Sequence, residues 1–533
     1  MMTYPRGVER TSSRTPLYLV SVVLLLLALV ASSAAAQGVY GGTLRVALRS
    51  NPNTLDLHTT TAGETKIISQ HIFETLFSID ENHQPRPHLI ESFSANADNT
   101  EYVFHLRRGV RFHNGEELTA EDVVASLRRW AQHSSAGKTL IEESVSELSI
   151  ENELTFRMVL RNPNGVLALQ LSDAGSQNAV IMPAMIAQAN WDTSIRDVGN
   201  LVGTGPFRIV DFNPDIRVRL ERFDDYTPLD ADPSGFSGRR TAYVDAIEFV
   251  PTPDAMARLN TVEVGEMHFA EMLPPDEFAR VSRSPNLRVI VRPVSGYGAL
   301  VLNLQQGPLA ESQTLRQAIL AALNKEDIGR AAYGPTDLWD LNPSVFVRGM
   351  ALWTDAGSEF YNQASPERAR ELMGSAGYDG ETLRIVGNTD NPMLYNTALV
   401  VEAQLREAGF DVQLDAYDNA TAQALRPQFA SWDIYPVSMA ARSEPTIMPH
   451  FWPDWLGTWP STDMQRILED LRAISDFDVR FALVEELQEL VFEDVPFIKT
   501  VTSAGFDVIA PTVQNHQTVD AHHFFWNLWL EAE

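Results

Sequence analysis

The chain has 533 residues, with 41 Lys and Arg against 70 Asp and Glu, no Cys and 44% hydrophobic residues, the balance of a globular protein of about three domains. The absence of cysteine excludes disulfides, thiolate metal sites, thiol nucleophiles and a lipid-modified cysteine anchor. Phosphate recognition needs clustered basic side chains, so a chain of net charge −29 whose only lysines are Lys66, Lys138, Lys325 and Lys499 is not expected to bind nucleic acid.

Arg6, Arg10 and Arg14 precede an apolar run over 17–30 and the small residues Ala34-Ala35-Ala36. That order predicts a secretory signal peptide over 1–36, cleaved near Ala36. The alternative is a membrane anchor, but the run is about 14 residues where a spanning helix needs roughly 20. The processed chain is expected in the periplasm, without membrane insertion and stabilised by its cores alone.

Alternation of apolar and polar residues predicts strands at 44–48, 102–106 and 216–220, one face of each turned inward. Farther on, 382–386 reads as a strand, 395–408 as a helix stopped by Gly409, and 410–414 as a strand, which is a βαβ unit. Ser365-Pro366-Glu367 gives an N-cap and a first-turn proline ahead of one helix, and Thr462 with Gln465 gives a capping-box pattern ahead of another. Leu483, Leu487, Leu490 and Val491 share one face of a helix over 481–491. The first half is strand-rich and mixed, the second half α/β.

Sequence patterns that carry catalysis are scarce. There is no H-E-x-x-H, G-x-S-x-G or G-x-G-x-x-G. Gly137-Lys138-Thr139 resembles the end of a phosphate-binding loop, but Gln132 stands where its first glycine is required. His83 with His88, and His522-His523, are possible imidazole ligands. Their simpler reading is a turn around Gln84-Pro85-Arg86-Pro87 and a final strand with a polar surface.

The stretch 94–127, SANADNTEYVFHLRRGVRFHNGEELTAEDVVASL, resembles the signature of the peptide/nickel-type extracellular solute-binding proteins of ABC importers, family 5. Its residues read as a strand, a Gly109 turn, a short strand, the His113-Asn114-Gly115 turn and a helix capped by Thr119 with Asp122. Along nearly the whole chain other segments are similar to the family: Gly42-Thr43-Leu44-Arg45-Val46 with Leu55-Asp56, Gly203-Thr204-Gly205-Pro206-Phe207, Gly265-Glu266-Met267, Asn303, Arg316-Gln317-Ala318-Ile319 and Asp494-Val495-Pro496-Phe497. Asn324-Lys325 departs from the usual Asp-Arg.

The resemblance implies an α/β, enlarged class II-like periplasmic-binding-protein fold with a ligand cleft between two lobes. Lobe I would span 38–290, with a subdomain near 80–200, and lobe II 291–500, with 501–533 returning to lobe I. It also implies a monomeric substrate-binding component that captures a peptide-like or organic-anion-like solute and delivers it to the membrane subunits of an ABC permease. No cofactor, resident metal or enzymatic activity is expected. Metal-chelate binding, with His450 or His522 as candidates, and a secreted hydrolase are the alternatives.

In peptide-binding members a tryptophan and an aspartate follow the strand equivalent to Trp432-Asp433-Ile434-Tyr435-Pro436. With Pro445 as register mark those positions fall on Ser438 and Ala441, so the carboxylate that would meet a peptide's amino group is missing. Arg442 follows immediately. It either donates a bidentate pair of hydrogen bonds to a ligand carboxylate or pairs with Glu444 or solvent. The run HFWPDWLGTWP over 450–460 places Trp452, Trp455 and Trp459 close in sequence, as either a cleft wall or a lobe-packing loop. Tyr297 and the pair Gln177-Asn178 are cleft candidates by family position.

Overall fold

In a computed structural model, the protein is described over residues 38–172, 177–292, 296–452, 455–456, 458–519 and 522–531. The signal peptide expected over 1–36, and Pro453 and Gly457 of the tryptophan run, lie outside these residues.

Strand β1 (Thr43–Leu48) is the parallel centre of a seven-stranded sheet. The chain then builds a four-stranded antiparallel sheet from β2 (Ile90–Ala95), β3 (Glu101–Leu106), β4 (Val145–Asn152) and β5 (Thr155–Leu160), in the order β2-β3-β5-β4. Helix α1 (Ala120–His133) lies between β3 and β4 in sequence and starts with the expected reciprocal cap between Thr119 and Asp122. Its Leu127 and Trp130 share one buried core with Phe104 and Phe156 of the small sheet. After Gly109, the expected short strand is only an isolated bridge between Arg111 and Glu117.

The chain returns to the large sheet through β6 (Phe207–Asn213), β7 (Arg217–Arg222), β8 (Ala246–Pro251), β9 (Phe269–Ala270) and β10 (Arg288–Val291). Gly203 and Gly205 explain the loop before β6. A Cβ on either would lie 2.1 Å or 2.3 Å from the carbonyl oxygens of Ile72 and His71, so two backbones meet where only glycine fits.

The second half forms a six-stranded sheet with helices on both faces. In chain order these are β11 (Gly296–Leu302), α2 (Gln313–Ala322), α3 (Lys325–Tyr333), β12 (Trp339–Asp340), α4 (Pro366–Ala376), β13 (Leu383–Asn388), α5 (Pro392–Ala408), β14 (Val412–Tyr417), β15 (Ile434–Ala440), α6 (Thr462–Ala473), α7 (Phe477–Asp494) and β16 (Phe497–Ser503). The sheet order is β12-β16-β11-β15-β13-β14. β13, α5 and β14 are the expected βαβ unit, with the two strands parallel in register from Leu383↔Val412 to Asn388↔Tyr417. Ser365 caps α4 as expected, whereas α6 is capped by Ser461, whose Oγ accepts from the Met464 N–H, and Thr462 is the first helical residue. Helix α7 runs well beyond 481–491 at both ends.

Two sheets therefore share one chain, which passes between them twice: from β10 to β11, and from β16 to β17 (Phe506–Ile509), which pairs with β9 and β10. At the passages Arg292 N–H donates to Gly505 O at 2.9 Å, and the Arg292 guanidinium lies 3.2 Å from the Asp507 carboxylate. His523 Nε2 lies 2.7 Å from an oxygen of the same carboxylate and the ring is buried, so the strand at 522–524 carries a buried hydrogen-bonding group here, not the polar surface its sequence suggests.

The halves also touch away from the passages. Gly165 N–H donates to Arg472 O at 2.7 Å, Asn99 Nδ2 donates to Ala473 O at 3.2 Å, and a Cβ on Gly165 would lie 2.6 Å from the Ile474 carbonyl carbon. Gly165→Val is therefore expected to part the small sheet from the end of α6. Small-angle scattering should report a larger radius of gyration with the unfolding midpoint nearly unchanged; an unchanged radius would contradict the assignment.

Burial also fixes how the protein responds to acid. Burial holds the imidazoles of His58, His88 and His113 down at about 4 and those of His71 and His450 at about 3. Below the ordinary histidine value the unfolded chain takes up protons that the folded one refuses. Each such residue then removes up to about 1.4 kcal/mol of stability per pH unit until its folded pKa is reached. The urea midpoint is expected to fall steadily from pH 6.5 to pH 4; a flat profile would contradict it.

Candidate functional site

The site is built on one edge of β15. This strand pairs antiparallel with β11 over its whole length, from Ile434↔Leu302 to Ala440↔Gly296, but meets β13 only at Ile434↔Ile385. Pro436 fixes which groups face the gap. Proline has no N–H and is tolerated in a strand where its nitrogen faces no ladder partner, so its nitrogen points away from β11. With a period of two, the N–H groups of Ser438 and Ala440 point the same way, and both residues are exposed. The result is a short open edge able to pair with an extended ligand backbone.

Beside that edge lies a cavity of about 170 Å³ lined by residues 437–440 of the strand together with Arg426, Arg442, Pro449, Trp455 and Leu456. Arg442 is half-buried and has no carboxylate within ion-pair distance among the described residues. Arg426 is exposed, its guanidinium 5.6 Å from the Tyr435 ring centroid. Among the described residues the lining carries two guanidinium groups and no Asp or Glu. Trp455 supplies an aromatic wall, held edge-on to the His450 ring at 6.0 Å.

Arg442 and Trp455 are thus the sequence candidates that the fold brings together. Glu444 does not line the cavity: it is buried, its carboxylate pairs with Arg480, and its Oε1 accepts from the Thr446 N–H. Burial pushes its carboxyl up despite the Arg480 charge. Glu444 is not the counter-ion of Arg442. Trp459 is a core residue, 5% exposed, with Nε1 donating to Asp494 Oδ2 at 2.9 Å. Trp452 is 46% exposed and donates to Thr446 O.

Tyr297 lies inside β11 and is buried beneath the Lys499 ammonium at 4.5 Å. Gln177 is tied into the first half, its carbonyl accepting from Trp130 Nε1 and its side chain donating to His133 O. Asn178 lines a cavity of about 60 Å³ in that half with Glu74, Arg240 and Trp526. His450 is buried against Tyr297, Phe451 and Phe497. Among the described residues no three His, Asp or Glu side chains group to hold a metal ion.

Arg426, Pro449, Leu456 and the open edge were missed in the sequence. Pro436 inside a strand is the signal that points to the edge; nothing in the spacing marks Arg426.

The family model of bacterial extracellular solute-binding proteins, family 5, matches residues 84–459. The chain belongs to this family. It is 30% identical to the probable peptide ABC transporter periplasmic-binding protein y4tO of Sinorhizobium fredii, over 85% of this chain and 87% of that one. Among solved structures it is similar to the substrate-binding protein CtaP of Listeria monocytogenes (TM-score 0.79, 21% identity, 92% of this chain and 99% of that one). It is also similar to AgaA of A. tumefaciens R10 in complex with agropinic acid (TM-score 0.70, 21% identity, 92% and 99%). These two share the two-lobed periplasmic-binding-protein fold. As a family 5 solute-binding protein the chain is the substrate-binding component of an ABC importer, in a family that serves transport and works with ABC permeases. Among the described residues no helix is long and apolar enough to cross a membrane.

Proposed function

We propose that the protein captures a peptide-like or organic anion that carries a free carboxylate and no free ammonium group, laying it along the open edge of β15 with its carboxylate on Arg442. Ser438 and Ala440 supply main-chain hydrogen bonds, which read backbone shape and not side-chain identity. Arg442 and Arg426 select negative charge, and Trp455 covers the apolar part. The carrying observation is the charge of the described lining: two guanidinium groups and, among the described residues, no carboxylate. A desolvated ammonium placed there would lose its hydration without a counter-ion, at a cost of several kcal/mol.

Relatives differ in what their names report, a peptide for y4tO and agropinic acid for AgaA, so the fold accommodates both peptides and other organic acids. The protein acts as a monomeric carrier, exported by cleavage near Ala36, with lobes of 38–290 plus 501–533 and 291–500 closing on the ligand. It releases its ligand chemically unchanged.

A thermal-shift screen of residues 37–533, stripped of carried ligand by unfolding and refolding, tests this reading. A ligand at 100 times its Kd stabilises by about 2.7 kcal/mol. N-acetylated dipeptides and organic acids are expected to raise Tm and free dipeptides not; stabilisation by free dipeptides alone would overturn it.

A further inference from the structure

A second groove lies in the second half of the chain, sharing no residue with the cavity beside β15. It encloses about 390 Å³ between α2, α4, α7 and the turn at 357–363. Its floor is apolar: Leu320 and Phe492 are buried beneath it, and Phe360 is 47% exposed.

Its rim is acidic. Glu359, Glu489 and Glu493 are all exposed, and among the described residues none has a cationic partner. Arg368, the one cation among the described lining residues, is engaged with Glu371 at 2.9 Å. Glu489 and Glu493 stand four residues apart on α7, a spacing at which like charges oppose each other on the helix surface. The free protein therefore holds an unfavourable arrangement that a cation lying between the two carboxylates would turn favourable.

An apolar floor of side-chain width ringed by three carboxylates with no cationic partner among the described residues complements an apolar side chain flanked by Lys or Arg. The free-ligand cavity has the opposite charge, so the groove does not serve the same solute. We propose that this groove is a docking site for a basic, apolar-tipped segment of the importer's membrane permease. The proposal rests on the importer role, because it takes its occupant from that role.

The test places the photocrosslinking residue p-benzoylphenylalanine at Phe360, and as a comparison at Met185, which is 69% exposed in the other half. The full exported chain is then irradiated with epitope-tagged permease subunits in membranes. A crosslinked band from Phe360 is expected, falling about tenfold in the Glu489→Gln/Glu493→Gln variant, while that variant binds its small ligand as tightly as the wild type. Permease subunits that copurify with the protein but give no band from Phe360, or a band insensitive to the two substitutions, overturn the groove and leave the importer role standing. Permease subunits that do not copurify at all contradict both.

Discussion

Arg442→Ala is expected to weaken binding of an N-acetylated dipeptide by about 30-fold while leaving Tm within about a degree of wild type. Removing one partner of a desolvated, hydrogen-bonded charge pair costs about 2–5 kcal/mol, and the half-buried position of Arg442 places it at the low end. Its stability effect is small because no described side chain depends on it: Glu444, the nearest acid in sequence, is held by Arg480. Arg442→Lys restores charge but not the planar fork, so recovery should be partial. Calorimetric titration of the three proteins checks this; equal affinities would remove Arg442 from the site.

Asp56→Ala is expected to destabilise the protein by about 3–5 kcal/mol, the cost of leaving a buried charge without its partner. Both side chains of the pair are inaccessible to solvent. Arg129 Nη2 and Nη1 donate to the two Asp56 carboxylate oxygens at 2.6 Å and 3.1 Å. The Ile195 N–H also donates to Asp56, and the Arg129 guanidinium donates to Asn190 O and Thr193 O. One ion pair thus ties the segment after β1, helix α1 and the loop at 190–195 together.

Burial alone would raise the Asp56 carboxyl, but the hydrogen bonds and charge of Arg129 outweigh it and hold it below the ordinary aspartate value. Its contribution is complete above that value and is lost as pH falls through the lowered one. Urea denaturation at pH 7 should show the loss, and a midpoint equal to wild type would contradict it.

What the sequence revealed and what it hid have different physical causes. Local chemistry was readable: the Thr119–Asp122 cap, the Ser365-Pro366 helix start and the βαβ unit are set within a few residues, by hydrogen bonds that short-range spacing encodes. Long-range pairing was not. The three tryptophans of 450–460 look equivalent in sequence, yet Trp459 turns into the core because Asp494, far along the chain, accepts its N–H. Glu444 looked like a partner for its neighbour Arg442 until Arg480 brought a guanidinium from α7. His523 reads as surface, and a hydrogen-bond contact with Asp507 holds it in the interior. The open edge of β15 depends on where β13 stops pairing, and Pro436 is its one local trace.

The most direct measurement is amide hydrogen exchange at Ser438 and Ala440, with and without the tightest ligand from the thermal-shift screen. A ligand paired along the edge of β15 should slow both amides by at least about tenfold, with little change at Val437 and Met439, whose N–H groups face β11. Exchange at Ser438 and Ala440 that is unaffected by saturating ligand would contradict the account.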